Sequence, residues 1–294
     1  MKLVAVAVIC FRPPFLLYGQ DSGTVGPSSQ RPAQFSVDLG TVTQPAAQPT
    51  ARTEPEGDAI AAVPNRPTFA TTALTVQPGV LEIEYGFQGD RTQQNINGLV
   101  KFGLSRSLEL HLAQNPIEMD SGVASTGVCG IGFKWKFLLQ HQAKPDLALL
   151  YSSIVSIATS PLGVAATGHS VQALVSKDFG KNHFDVNEGV QFVGRGVAVN
   201  GFDRNYFSAL SWSRAVSGKW GATAELAGFS WTNSQTPATM TILAAATYSV
   251  SPRLVLDAGA YAAAYGNLPR VTTFFGATYS ISDLYHRAGR GGGG

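Results

Sequence analysis

The sequence predicts an all-β protein: a transmembrane antiparallel β-barrel of about twelve strands behind a disordered N-terminal arm. Three observations predict it. From Val80 onward apolar and polar residues alternate with period two, a pattern that places them on opposite faces of strands and that helices cannot produce. The alternating segments come to an even number, and most run near ten residues, roughly the 9 to 11 that a tilted strand needs to cross a bilayer. Their connections alternate between tight turns and longer loops, as in outer-membrane barrels.

Composition agrees. Charged residues make up 14% of the chain, against about 25% in an average soluble domain. No apolar run reaches the roughly 18 residues of a membrane-spanning helix. With 21 basic and 19 acidic residues there is no basic excess, so a nucleic-acid partner is not expected.

In chain order, residues 1–20 have the layout of a secretory signal peptide: Lys2, an apolar run from Leu3 to Phe11 and a second apolar patch from Phe15 to Tyr18, interrupted by Arg12, Pro13 and Pro14. Residues 21–65 are rich in Pro, Gln, Ala and Thr with one aromatic, Phe35, and read as a disordered linker that cannot bury enough apolar surface to order itself. After cleavage only Cys129 remains, so no intrachain disulfide forms and closure of the sheet must hold the fold. Residues 66–79 are a Pro-fixed extended lead-in containing Phe69 and Leu74, either a plug for the periplasmic mouth or a flexible tether.

The barrel itself spans 80–281. Leu81, Ile83, Tyr85 and Phe87 share one face, with Glu82 and Glu84 on the other. Ile96, Val100, Phe102 and Leu104 then oppose Asn97 and Lys101, Leu108, Leu110 and Leu112 oppose Glu109 and His111, and Cys129 to Phe137 opposes Gly130, Gly132, Lys134 and Lys136. Further strands are expected near 147–157, 169–179, 183–193, 205–215, 219–229, 239–249, 253–262 and 270–281. Tight turns fall at Ser105–Ser107, Gly180–Asn182, Ser217–Gly218 and Ser251–Pro252, and longer loops near 115–127, 158–168, 194–204, 230–238 and 263–269. The segment Leu139–Pro145 is long for a turn of its class. Aromatic residues near strand ends form two bands, Phe137, Phe184, Trp220, Tyr248 and Tyr279 at one and Phe87, Phe192, Tyr206 and Phe229 at the other, as interfacial girdles would. Glu188 falls on the lipid-facing parity, where a bulge or an interfacial position would relieve it. Residues 282–294 form a flexible Gly-rich tail.

The run NRPTFATTALTVQPGVLEIEYGF followed by GLVKFGLSRSLELHL resembles the outer-membrane transporter family of the MetA pathway of phenol degradation. The resemblance rests on Arg66 and Pro67, Val76 to Gly79, Glu82, and Gly103 to Leu110, and covers about 66–281. It implies an outer-membrane channel, an association with aromatic catabolism, and dependence on outer-membrane lipid and assembly machinery. Chains of that kind end on an aromatic strand residue, whereas this one continues past Ile281.

Pairing of the inward residues puts Glu82 opposite Lys101, and Lys101 near Glu109 or His111, with Lys134 and Lys136 on the next strand and Glu225 and Asp257 on the far wall. Glu82, Glu84, Lys101, Glu109, His111, Lys134, Lys136, Glu225 and Asp257 are therefore the expected pore-lining residues. They form either a charged wall that sets selectivity or an ion-pair network that fills a narrow barrel. The far wall is otherwise small or apolar and should leave an off-centre gap. Catalysis is not expected: two residues beyond His169, His111 and His183 stand Val171, Ala113 and Asp185, so no Ser and His pair forms. Neither metal nor cofactor is expected, because the five histidines lack paired spacing. The expected function is passive passage of small solutes, aromatic or otherwise apolar ones among them, across a bacterial outer membrane. Its rival is a structural or surface-interaction barrel closed by the charged cluster, and oligomeric state is not legible.

Overall fold

The computed structural model describes residues 60–125, 129–155, 168–194, 201–232, 237–266 and 271–285. The expected signal peptide, the linker up to residue 59 and the tail from residue 286 lie outside the described residues.

The described strands are β1 (Val80–Gly89), β2 (Gln93–Gly103), β3 (Leu108–Asp120), β4 (Val123–Ser125), β5 (Cys129–Leu138), β6 (Asp146–Val155), β7 (Gly168–Phe179), β8 (Asn182–Gly194), β9 (Phe202–Ser217), β10 (Trp220–Phe229), β11 (Thr239–Ser251), β12 (Leu254–Tyr265) and β13 (Thr272–Asp283). Twelve are staves of a closed antiparallel barrel: neighbours in sequence pair, β3 pairs with β5, and β13 returns to pair with β1. The remaining one, β4, is a short extension folded back on the end of β3. Closure leaves no free edge among the staves, which takes the place of disulfides in holding the sheet.

Faces sort as a bilayer demands. Ile131, Trp135, Phe137, Leu210 and Phe275 are exposed on the outside, while Glu82, Lys101, Glu109, Lys134 and Asp185 are fully buried within. At one rim β7–β8 and β9–β10 are joined by Gly180–Lys181 and Gly218–Lys219, with glycine at φ of 61° and 54°. Such a left-handed conformation suits glycine and matches the tight hairpins expected there.

Four expectations are corrected. The segment 115–127 is largely strand rather than open loop, because β3 continues to Asp120 and turns through Ser121 and Gly122 into β4. A register shift at Asn115 and Pro116 flips the parity, so Ile117 and Met119 face outward where the run from Leu108 to Leu112 would place even-numbered residues, and period two does not carry across the break. Phe229 is no girdle residue: it shares the inward parity of Glu225 and Ala227 and packs on Phe207 inside the barrel. Glu188 is not relieved by a bulge, since neither pairing of β8 shifts register around it. It stays exposed on the outer face and accepts a hydrogen bond from Ser208 Oγ at 2.6 Å. Finally, Ile60 to Asn65, expected to belong to a solvated linker, run inside the barrel with Val63 and Asn65 buried. Their mostly small, apolar side chains follow a Pro-rich stretch and read as linker, but they also fit a narrow bore.

Candidate functional site

The inward wall has the expected neighbours. Register places Glu82 opposite Lys101, Lys101 opposite His111, and Glu109 opposite Lys134. Lys101 Nζ lies 2.7 Å from Glu82 and 2.5 Å from Glu84, and Lys134 Nζ lies 3.1 Å from Glu109, which also meets His111 at 2.5 Å. Lys136, Glu225 and Asp257 are buried as well, so all nine residues singled out from the sequence lie in the interior.

What they face is the chain's own segment 60–79. It runs from the tight-turn rim, where Ala62 N donates to Pro252 O, up through the bore, and back to β1, where Gly79 N donates to Gly103 O. The ascending leg is held at Val63 N by Glu82 (2.8 Å), at Val63 O by Lys101 (2.5 Å) and at Asn65 N by both oxygens of Glu84 (2.7 and 2.9 Å). Arg66 reaches Asp257 at 3.2 Å and donates to the carbonyl of Phe275 at 3.3 Å; the Arg66–Pro67 peptide is cis.

At the tip, the carboxylate of Glu225 accepts from two successive amides, Phe69 N at 2.8 Å and Ala70 N at 2.6 Å. The Phe69 ring meets Phe229 and Tyr261 edge-on, at centroid distances of 5.9 and 5.2 Å, and shares a buried cluster with Phe207, Leu243 and Phe274. On the descending leg Asn187 holds both Thr71 N and Thr71 O, Ser176 accepts from Ala73 N, Lys134 donates to Leu74 O and Glu109 accepts from Val76 N. Ser176 donates in turn to Asp185, which His183 bridges to Asp178.

The wall charges are therefore not only paired with one another. They are the acceptors and donors for a peptide backbone that has no secondary-structure ladder of its own, and a buried backbone must find such partners. The sequence showed the carboxylates but not this use. The signal that could have revealed it is the number of inward groups, Asn187, Glu225 and Asp257, with no oppositely charged partner directly across on an adjacent strand.

With the tip packed against β9–β13, a recess among the described residues lies beside it on the β3–β7 side, between Phe69, Thr71, His111, Leu150, Ser170 and Gln172. It offers about 20 Å³ to water-sized occupants, where a single water needs roughly 10–15 Å³. Phe69 packs into the small-residue half of the wall, where side-chain size suggests a gap.

No protein-family model matches the sequence, and no curated protein matches it. Solved structures do resemble the fold. An outer-membrane channel from Pseudomonas putida F1 superposes with a TM-score of 0.56 at 13% identity, over 71% of this chain and 98% of that one. The NanC porin gives 0.52 at 10% identity, over 68% and 100%. The KdgM porin, solved with disordered oligogalacturonate, gives 0.50 at 8% identity, over 68% and 99%. At such identities the likeness is one of fold: the barrel architecture is that of outer-membrane channels.

Proposed function

We propose that the protein is a channel of the bacterial outer membrane for passive uptake of small solutes, exported by its N-terminal signal peptide, and that residues 60–76 are its resident plug. On this reading Glu82, Glu84, Lys101, Glu109, His111, Lys134, Lys136, Glu225 and Asp257 line the pore once the plug shifts. The observation that carries the reading is the way the bore is filled. A bore meant to stay shut is closed at least as well by apolar packing, since buried ion pairs and carboxylates seldom add stability over hydrophobic residues of similar volume. Here the segment is instead held by side-chain to main-chain hydrogen bonds around an aromatic tip.

The rival reading, a structural barrel, draws on the same closure, because the space beside the tip admits little more than water. Conductance separates the two. Wild-type protein in planar bilayers should conduct in rare, brief openings, and Phe69→Ala should open far more often at similar unitary conductance. Silence in both, with the barrel shown to be folded by heat-modifiable gel migration, would leave the structural reading standing. When the tip leaves, Phe207, Phe229, Tyr261 and Phe274 become the exposed lining of the upper bore, which favours solutes with a flat apolar face.

A further inference from the structure

The contact of Arg66 with the wall differs from the other plug contacts, because the wall there is shaped for a flat cation. Gly86 on β1 pairs directly with Gly276 on β13, and Gly276 pairs directly with Asp257 on β12, so the three lie in one line across three adjacent strands. A methyl group added at Gly86 would overlap the guanidinium carbon and both terminal nitrogens of Arg66, and one added at Gly276 would overlap its Nε. The guanidinium thus lies flush in a slot that exists only because two facing residues lack side chains. Asp257 supplies both carboxylate oxygens, to Nε at 3.2 Å and Nη2 at 3.3 Å, and the Phe275 carbonyl takes a further hydrogen bond from Nη2. A planar fork of donors on a carboxylate is the geometry that distinguishes guanidinium from ammonium.

The wider wall favours the same charge. Among the described residues its buried carboxylates are Glu82, Glu84, Glu109, Asp146, Asp185, Glu225 and Asp257, seven in all, against three buried lysines, Lys101, Lys134 and Lys136. His183, which bridges Asp178 and Asp185 through both ring nitrogens, adds a fourth cation, leaving an excess of three negative charges that Arg66 and the donated amides of the plug partly satisfy. Directly beyond the slot on the same two strands stand Phe274 and Tyr261.

We propose that the Gly86, Gly276 and Asp257 slot is a recognition site for small guanidinium or amidinium solutes with an apolar body, and that Arg66 is its tethered stand-in. A solute of this class competes with Arg66 for Asp257, releases the ascending leg and enters a bore whose fixed charge favours cations. This rests on the channel and plug reading above, and the test separates the two.

Arg66→Ala and Asp257→Asn break the same ion pair, but only Arg66→Ala leaves the carboxylate in place. Both should open more often than wild type, with a reversal potential that shows cation preference. Methylguanidinium should block Arg66→Ala and spare Asp257→Asn, while methylurea, its neutral isostere, should spare both. Binding is also read without current, from the temperature at which the folded band is lost on gels. Methylguanidinium should raise that temperature for Arg66→Ala and leave Asp257→Asn unchanged. Wild type should need at least about tenfold more of the cation, because tethered Arg66 competes at an effective concentration of order millimolar. Should Arg66→Ala not refold, Arg66→Lys keeps the charge, vacates the planar slot and takes its place. Equal response of the Ala and Asn variants, an anion preference, or no response to methylguanidinium in either readout would overturn the proposal. Silent bilayers together with a selective thermal shift would sink the channel reading and leave the guanidinium site intact.

Discussion

Phe69→Ala measures how firmly the plug is seated. The Phe69 side chain is 5% exposed and is surrounded by Phe207, Phe229, Leu243, Tyr261 and Phe274. Truncating a buried phenylalanine in such surroundings costs about 3–5 kcal/mol, part of it the lost transfer energy and part the cavity left behind. The cavity opens toward the recess beside Thr71 and Leu150, which admits water, so the lower end of that range applies. About 3 kcal/mol corresponds to a change on the order of a hundredfold in the docking equilibrium, at roughly 1.4 kcal/mol per factor of ten. Hydrogen exchange followed by mass spectrometry reads this directly, because the amides of Val63, Asn65, Phe69, Ala70, Thr71, Ala73 and Val76 are hydrogen-bonded to wall side chains. Their exchange should accelerate by about two orders of magnitude, while amides in the β8–β9 and β11–β12 ladders keep their protection. Equal exchange in the segment of wild type and Phe69→Ala would refute the idea that the aromatic cluster seats the plug. Acceleration in the ladders as well would show that segment and barrel open as one cooperative unit.

Other perturbations act on separate contacts. Glu225→Gln keeps shape but points an amide donor at Phe69 N or Ala70 N; a loss of about 1–3 kcal/mol should appear as faster exchange at the tip, with Val63 and Asn65 little changed. Lys101→Ala strips the counter-cation from Glu82 and Glu84, and removing one partner of a buried pair costs about 3–5 kcal/mol, so the midpoint for loss of the folded gel band should fall clearly. Glu188→Leu removes an exposed carboxylate from the outer face of β8 and should stabilise folding into vesicles by on the order of 1 kcal/mol, read as a higher urea midpoint; an unchanged or lower midpoint would mean that Glu188 has a partner in the membrane. In the turn between β1 and β2, burial acts to raise the Asp90 carboxyl, but hydrogen bonds from Thr92 and Gln93 outweigh it and hold the group below its ordinary 3.8. A depressed carboxyl stabilises the turn at neutral pH and loses that contribution as pH falls through the depressed value, so turn amides should exchange relatively faster in wild type below about pH 3.8 and show no such step in Asp90→Ala.

Much of the architecture was legible because a barrel writes one rule along its whole length. Each strand must present alternate residues to lipid, so the twelve staves and their faces follow from period two, and direct pairing then gives Glu82 with Lys101 and Lys101 near His111. The rule falls silent where lipid does not sit on one side. Beyond Gln114 the register shift at Asn115 and Pro116 breaks the period and the β3–β4 hairpin reads as loop, and Phe229 reads as an interfacial aromatic unless its parity is tied to Glu225 and Ala227.

The bore is harder to read for a geometric reason. Strand register relates residues that are neighbours along the wall, whereas Glu225 and Phe69 are 156 positions apart, and Arg66 and Asp257 are 191 apart, joined only across the interior. Period two cannot report on a segment that is held across the interior by side chains and meets no strand ladder between Val63 and Gln77. Its composition gives the only hint, and that hint is ambiguous, since Pro, Ala and Thr suit a solvated linker and also a thin peptide threaded through a crowded tube. The distinction lies in the complementary groups. Among the described residues the wall carries seven buried carboxylates and three buried lysines and cannot be satisfied by lysine pairs alone, because a carboxylate left alone in the interior is too costly to keep. The surplus acids therefore demand donors from elsewhere. Of the acids with no lysine beside them, Glu225 accepts two main-chain amides of the segment and Asp257 takes Arg66, while Glu82, Glu84 and Glu109 accept segment amides in addition to their lysines. Charge imbalance on an inward face, counted from the sequence once the parity is known, is thus the sign that something besides the barrel wall occupies the bore.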